Sequence, residues 1–438
     1  MELKGRRVVV VGMARSGVAA VRLLQQKGAL VRAVDEKPMG EVLGVTVEPQ
    51  KEAAFRDADL VVISPGVPAD LDVLEKARAG GVEVIGELEL AAAYLNGRNI
   101  GVTGTNGKTT TTALVGHILK ESGIRCQVGG NIGTPPAAMV ETSLSGQWNV
   151  LELSSFQLET IQTFRAQIAA CLNITQNHLD RHHTFENYVH AKARLFETQE
   201  HGDVAILNAD DPVTVEFASH TSGKTTWFSG SRAVSGAWLE GNVIKLQGEA
   251  LLDVRELRLR GRHNYENVMA AALIAERAGA QPSQIARAAV TFAPVEHRLE
   301  LVREVGGVAY YNDSKATSVD ATLKAIDAFP GGLWIILGGK DKNSDYTVLR
   351  EPLRAKARAA LLIGAAAGKI AGHLGNDSVP LLQSGTLAEA VREAHRLAKP
   401  GDTVLLAPAC ASFDQFEGFE HRGRVFKELV NALEGGSR

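Results

Sequence analysis

The chain has 438 residues, 45% of them hydrophobic, enough for about two to four domains of ordinary size, each with its own core. Its net charge of −3 comes from 47 basic and 50 acidic side chains mixed along the sequence, so no basic face for nucleic acid or for a membrane surface is expected. Cys126, Cys171 and Cys410 lie far apart without a CxxC, no apolar run reaches the ~18 residues needed to span a bilayer, and the four valines before Gly12, with Arg15 close behind, are too short a run for a signal-peptide core, which leaves a reducing cytoplasm as the expected location.

Residues 1–96 alternate short β-branched runs (Val8–Val11, Leu60–Ile63, Val82–Ile85) with helical segments such as Val18–Lys27, the rhythm of a parallel sheet. The first turn, Gly12-Met13-Ala14-Arg15-Ser16-Gly17, approximates GxGxxG with alanine at the second glycine, and Asp35 closes the next strand. Three readings fit: a dinucleotide site, a close-packed strand-to-helix turn, or a sugar nucleotide whose phosphates rest on the helix N-terminus. Ala14 counts against the first, because the middle glycine normally lets a pyrophosphate approach the backbone.

Residues 97–296 form a second α/β unit that opens with GVTGTNGKTTTT at 101–112. This is shorter than GxxxxGK(S/T), since Val102 stands five positions before Gly107. Its physical content is the same: glycines free backbone N–H groups for phosphate, Lys108 supplies a point charge, and Thr109 offers a hydroxyl to Mg²⁺ at a helix start. The stretch is read as binding a nucleoside triphosphate. Strands are expected at Val150–Leu153 and Ile168–Ile174, followed by a small extra β-sheet from Thr225 to Leu259.

Glu152, alone in the apolar run VLELSS, is either a metal-paired carboxylate or a glutamate on an exposed strand face. His178 lies in the loop TQNHLDRHH; the neighbouring His182 and His183 hint at zinc, but their spacing matches no common ligand pattern. On the expected helix FENYVHAKARLFET, Lys192 is flanked at four-residue spacing by Tyr188 and Phe196. It either extends outward from that stripe or turns inward as a desolvated amine of lowered pKa, able to add CO₂ as a carbamate.

Residues 297–438 repeat strand, glycine loop and helix in LWIILGGKDK, ALLIGAAAGKIAGHL and TVLLAPACASFDQF. In open parallel sheets such loops line the ligand crevice at the strand C-termini, so all three are expected to face a site. The fold expected is therefore α/β with three domains, a Rossmann-like unit at each end and a central P-loop ATPase-type sheet.

TGTNGKTTT, LELSSFQLE, NHLDRH, AKARLF, GRHNYENVMAA, HRLE, NDSKATS, LGGKDK and PACASFDQF follow one another over nearly the whole chain, and together they resemble the Mur ligases. Within that family NDSKATS and PACASFDQF are similar to the branch that adds D-glutamate to UDP-N-acetylmuramoyl-L-alanine in peptidoglycan precursor synthesis. The resemblance implies an ADP-forming carboxylate–amine ligase that uses ATP with Mg²⁺, or Mn²⁺ in its place, and acts as a monomer on small-molecule substrates. It makes Lys108, Glu152, His178 and Lys192 the catalytic set. Thr109 and Glu152 would hold one metal, and His178 with carbamylated Lys192 the second. ATP would meet Thr105, Asn106, Gly107, Lys108, Thr109, Thr110 and Thr111, with Asn264 and Asn267 on the adenine side and Arg298, Asp313 and Lys315 from the third domain. The UDP-substrate pocket would use Arg15, Ser16, Glu36, Lys37, Ser64, Gly66 and Asn131, and D-glutamate would meet Thr317, Lys342, Ser412 and Phe419. Lys340 departs from the pattern, standing where relatives often have an acid.

Two other classes remain open at this stage. A nicotinamide-dependent oxidoreductase would rest on the first turn and leave GTNGKTT without a role, while a P-loop binding protein would need neither the Glu152, His178 and Lys192 set nor the third-domain loops. Folylpolyglutamate synthase shares the ATP domain but lacks an N-terminal unit of this type.

Overall fold

In the computed structural model, which describes residues 1–37, 40–293, 296–375 and 378–434, the four valines Val8–Val11 are buried from both faces of a parallel sheet, as their unbroken apolar run requires. Packing divides the chain into two compact units, Met1–Leu257 with Tyr265–Phe292, and Arg258–Asn264 with Ala293–Arg438.

The first unit contains two sheets. In the N-terminal one the strands run Glu41–Val42, Val45–Pro49, Leu30–Asp35, Arg7–Val11, Leu60–Ile63, Glu83–Gly86, all parallel except the first pair. The helix after the first strand spans Arg15–Gln26, starting three residues before the expected Val18 because the Ala14 carbonyl already accepts from the Val18 N–H at 3.0 Å. Gly17 is obligatory there: a Cβ on it would lie 1.8 Å from the Gly12 carbonyl oxygen, so helix and turn touch backbone to backbone.

The central sheet has nine strands: Glu249–Asp253, Val243–Leu246, Gly236–Glu240, Lys224–Ser229, Val204–Asn208, Ile168–Cys171, Arg98–Thr103, Trp148–Glu152 and Cys126–Gly130. The β-rich patch expected as a small extra sheet instead continues this one, because Val204–Asn208 leaves an edge on which Lys224–Ser229 pairs in parallel, with an antiparallel meander beyond. The strand expected over Ile168–Ile174 ends at Cys171. Past that point Asn173 crosses to Asn106, and the Ile174 N–H donates to the Asp211 carboxylate, so the backbone serves loops instead of the ladder.

Two carboxylates on the helix Glu87–Ala92 bind the two sheets of this unit together. Glu89 accepts from the N–H groups of Gln162, Thr163 and Phe164, while Glu87 accepts from the Ala137 N–H at 2.6 Å near the start of the helix Pro136–Met139. Burial pushes the Glu87 carboxyl up to about 8, and its second oxygen has no hydrogen-bond partner among the described residues.

The second unit holds one sheet, in the order Glu300–Val305, Val308–Asn312, Thr403–Leu406, Leu333–Gly338, Ala357–Ile363, Leu381–Gly385, parallel except for its first pair. Three neighbouring strands, Thr403–Leu406, Leu333–Gly338 and Ala357–Ile363, carry the three loops singled out in the sequence, which therefore emerge at one edge.

Candidate active site

The strand Arg98–Thr103 delivers the chain into the glycine loop, and the helix Lys108–Glu121 leaves it. Gly107 caps that helix with φ +86°, and a Cβ there would lie 2.2 Å from Asn267 Oδ1, so this position tolerates only glycine. Asn267, for which the sequence suggested an adenine-side contact, thus packs directly against the loop. Thr105 and Asn106 are pinned by a neighbouring loop: the Thr105 N–H donates to the Asn173 carbonyl at 2.7 Å and the Asn106 N–H to Asn173 Oδ1 at 2.9 Å. The Thr105 hydroxyl meets the Tyr188 hydroxyl at 2.9 Å. Lys108 folds back to donate to the carbonyls of Gly104 and Thr105, each at 2.8 Å, and Thr109, Thr110 and Thr111 are buried along the first turn.

Lys192 points inward. Only 1% of it is exposed, and its ammonium nitrogen donates to the Gly104 carbonyl at 3.0 Å and the Thr103 hydroxyl at 3.3 Å, with the Tyr188 ring 4.9 Å away. Burial, reinforced by the charge of Lys108, holds its pKa well below the ordinary lysine value. This favours the neutral amine, the form that can react with CO₂.

Glu152 is 2% exposed at the end of its strand, which removes the exposed-face reading. One carboxylate oxygen accepts from Asn131 Nδ2 at 2.9 Å, and the other is buried with no hydrogen-bond partner among the described residues. Such an oxygen is costly unless a cation or donor meets it, so the residue fits a metal ligand. Asn131, expected to touch substrate, is thus tied to the same carboxylate.

His178, exposed and with φ +54°, begins the short helix Leu179–His182; its ring packs edge-on against Phe156 at 4.8 Å and lies 6.4 Å from Tyr188. Tyr188 therefore links His178 to Lys192. The hint of zinc at His182 and His183 fails: His182 is buried and bonded to Ser155 Oγ at 2.9 Å, while His183 faces Asp70. Sequence reasoning missed Tyr188 as more than an apolar neighbour, because its hydroxyl partner lies 83 residues away.

In the N-terminal sheet, the Ser64 hydroxyl donates to the Gly12 carbonyl at 2.6 Å, Arg15 reaches the Gly133 carbonyl at 3.4 Å, and Ser16 stands in the first helical turn. Glu36, Lys37 and Gly66 are exposed just past the C-terminal ends of Leu30–Asp35 and Leu60–Ile63, the two strands that flank Arg7–Val11. Asp35, the acid a dinucleotide would need, is already occupied by the N–H groups of Met13 at 2.7 Å and Lys37 at 2.9 Å.

In the second unit Arg298 and Lys315 oppose the burial that pushes the Asp313 carboxyl up to about 6. Lys315 lies 5.5 Å from the centre of the Phe419 ring, and Asn264 donates to the Arg260 carbonyl at 2.7 Å. Thr317 is held by its N–H on the Lys315 carbonyl, and the Ala409 N–H on the Ala316 carbonyl joins this loop to the one carrying buried Ser412. Lys342 is exposed on the third loop. An unpredicted residue, Arg422, is 1% exposed beneath them and donates to Ser314 and to the carbonyls of Cys410 and Ala411. Its only sequence signal is its place three residues after Phe419 on the same helix.

A phosphate loop backed by a buried carboxylate and a desolvated amine, on parallel sheets, defines an α/β nucleotide-dependent enzyme. Comparison with known proteins specifies the family. The descriptions Mur ligase MurD-like, N-terminal domain, Mur ligase middle domain, and Mur ligase, glutamate ligase domain match residues 6–86, 102–275 and 297–410. The chain is 61% identical to a UDP-N-acetylmuramoylalanine–D-glutamate ligase of Solibacter usitatus, covering 99% of both, and 50% identical to one of Acidobacterium capsulatum, covering 100% of this chain and 98% of that one. Among solved structures, UDP-N-acetylmuramate-alanine ligase MurC of Thermotoga maritima shares the fold, with a TM-score of 0.63 at 19% identity over 97% of this chain and 99% of that one. The chain belongs to the Mur ligase family, and its fold is the three-domain α/β fold of that family.

Proposed function

We propose that this enzyme is the ATP-dependent, ADP-forming ligase that joins D-glutamate to UDP-N-acetylmuramoyl-L-alanine in peptidoglycan precursor synthesis, working as a cytoplasmic monomer. Full-length identity of 61% to a relative named for that reaction supports the substrate assignment. Among the described residues no helix is long and apolar enough to cross a membrane. The domains would be 1–96 for the UDP-substrate, 97–296 for ATP and 297–438 for the amino acid.

A carboxylate is a poor electrophile toward an amine, so the terminal carboxylate of the UDP-substrate first attacks the γ-phosphorus of ATP. ADP leaves and an acyl phosphate forms. The D-glutamate amine then attacks the acyl carbon, loses a proton, and inorganic phosphate departs as the amide forms. Lys108 and the N–H groups of Gly107 to Thr109 would cradle the phosphates, where charge stabilisation contributes most to such a transfer. Mg²⁺ or Mn²⁺, held by Thr109 and Glu152 and at a second position by His178 and the carbamate of Lys192, would neutralise phosphoryl charge. The single observation that carries the chemistry is the buried Lys192 amine, bonded to Gly104 beneath the phosphate loop. Lys315, Thr317, Lys342 and Ser412 supply the cationic and hydroxyl donors that a dicarboxylic amino acid needs.

Phosphate release should require ATP, Mg²⁺, UDP-N-acetylmuramoyl-L-alanine and D-glutamate together. Substituting L-glutamate, meso-diaminopimelate or L-alanine should abolish it, and equal turnover with any of these would reject the assignment.

A further inference from the structure

Tyr346 is fully buried, yet its side chain belongs to the loop that presents Lys342. Its hydroxyl donates to Asp341 Oδ1 at 2.7 Å and lies 3.0 Å from the Cys410 sulfur, two residues before Ser412. The phenol has one proton, and Asp341 takes it, so the Cys410 thiol donates in the second contact; burial raises both the phenol and the thiol, keeping each protonated at neutral pH. The Asp341 carboxylate is satisfied on all sides: Oδ1 also accepts from the Ser344 N–H at 3.1 Å, and Oδ2 from Lys369 at 2.7 Å. Burial pushes its pKa up, but Lys369, Tyr346 and Ser344 outweigh that and bring it down to about 2, so it is ionised. A backbone pair joins the same two loops, the Lys340 N–H to the Ala411 carbonyl at 2.8 Å and the Ala411 N–H to the Lys340 carbonyl at 3.1 Å.

We propose that Tyr346, Asp341 and Lys369 are positioning residues that fix the Lys342 loop against the Ser412 loop, so that both present donors to a dicarboxylic amino acid in one register. The inference rests on the function proposed above. Two consequences follow from the chemistry. Tyr346 sets the spacing, because its rigid ring spans from Asp341 to Cys410. Lys369 sets the charge, because Asp341 without it would repel an incoming dianionic side of the substrate. The ammonium of Lys369 therefore serves the site from a helix, Ala367–Leu374, that supplies no expected ligand.

The test is steady-state kinetics of the full-length enzyme with each substrate varied. Tyr346→Phe keeps the ring and the packing, and loses only the hydroxyl. It should raise KM for D-glutamate about 3- to 10-fold, the range of one buried hydrogen bond, with kcat and the KM values for ATP and the UDP-substrate within about twofold. Lys369→Met should raise KM for D-glutamate more at low salt than at high salt, and adding Asp341→Asn should recover part of the loss. Wild-type KM in Tyr346→Phe, or a parallel rise for all three substrates, would overturn the positioning role. Failure of the wild-type enzyme to use D-glutamate would overturn the functional assignment and this inference with it.

Discussion

Lys108 and Lys192 share one acceptor, the Gly104 carbonyl oxygen, at 2.8 and 3.0 Å. Lys192 is fully buried, and that burial, with the charge of Lys108 on the same carbonyl, lowers its pKa well below the ordinary lysine value. In the proposed mechanism, that shift favours the neutral amine that adds CO₂. Lys192→Ala should lower kcat by roughly 10²- to 10³-fold, the usual loss for one preorganised charge partner. Acetate or another small carboxylate should restore part of the activity by replacing the carbamate; an unaffected variant would remove Lys192 from the mechanism.

Asn131 donates to Glu152 at 2.9 Å, leaving one buried oxygen for a cation. Asn131→Ala strips the carboxylate of its protein donor and removes an expected substrate contact at once. The Mg²⁺ concentration for half-maximal rate and KM for the UDP-substrate should both rise, whereas KM for D-glutamate should not. A Mg²⁺ titration of the variant checks this.

Gly107→Ala would force a left-handed residue and a 2.2 Å contact with Asn267 Oδ1. The conformation alone costs about 1–2 kcal/mol; where the free loop relaxes to escape that strain, rebuilding it on binding lowers nucleotide affinity by up to about tenfold, with the clash adding to it. Combining it with Asn267→Ala should not restore binding, since φ stays positive. Calorimetric ATP binding is the readout.

Glu87 is an acid held neutral by burial, with a folded pKa of about 8 against 4.5 for the ordinary group. Between those values the folded protein binds the extra proton. Stability present below about pH 4.5 is therefore lost as pH rises toward 8, by at most about 1.4 kcal/mol per unit. Glu87→Gln removes this titration. Urea unfolding at about pH 5 and about pH 8 should show wild type losing stability relative to the variant, and equal slopes would contradict the buried-acid account.

Much of this was legible in the sequence because it depends on local pattern. The valine run, the glycine loop and the threonine-rich helix start declare strand, turn and helix without distant information. Lys192 was not decided locally: periodicity places it on the face of Tyr188 and Phe196, but its inward orientation depends on acceptors at Thr103 and Gly104, 89 and 88 residues away. Tyr346, Cys410 and Arg422 were invisible for the same reason, since each bonds across strands that are neighbours only in the folded sheet. The β-rich patch was recognised as strands but misjoined, because sequence shows where strands are and not which open edge they find.

The account stands on transfer of the γ-phosphoryl group to the substrate carboxylate. The direct test is single-turnover reaction of UDP-N-acetylmuramoyl-L-alanine labelled with ¹⁸O in the alanyl carboxylate, followed by mass analysis of the inorganic phosphate. One labelled oxygen should appear in each phosphate released; phosphate carrying no label while amide accumulates would contradict the acyl phosphate and the mechanism built upon it.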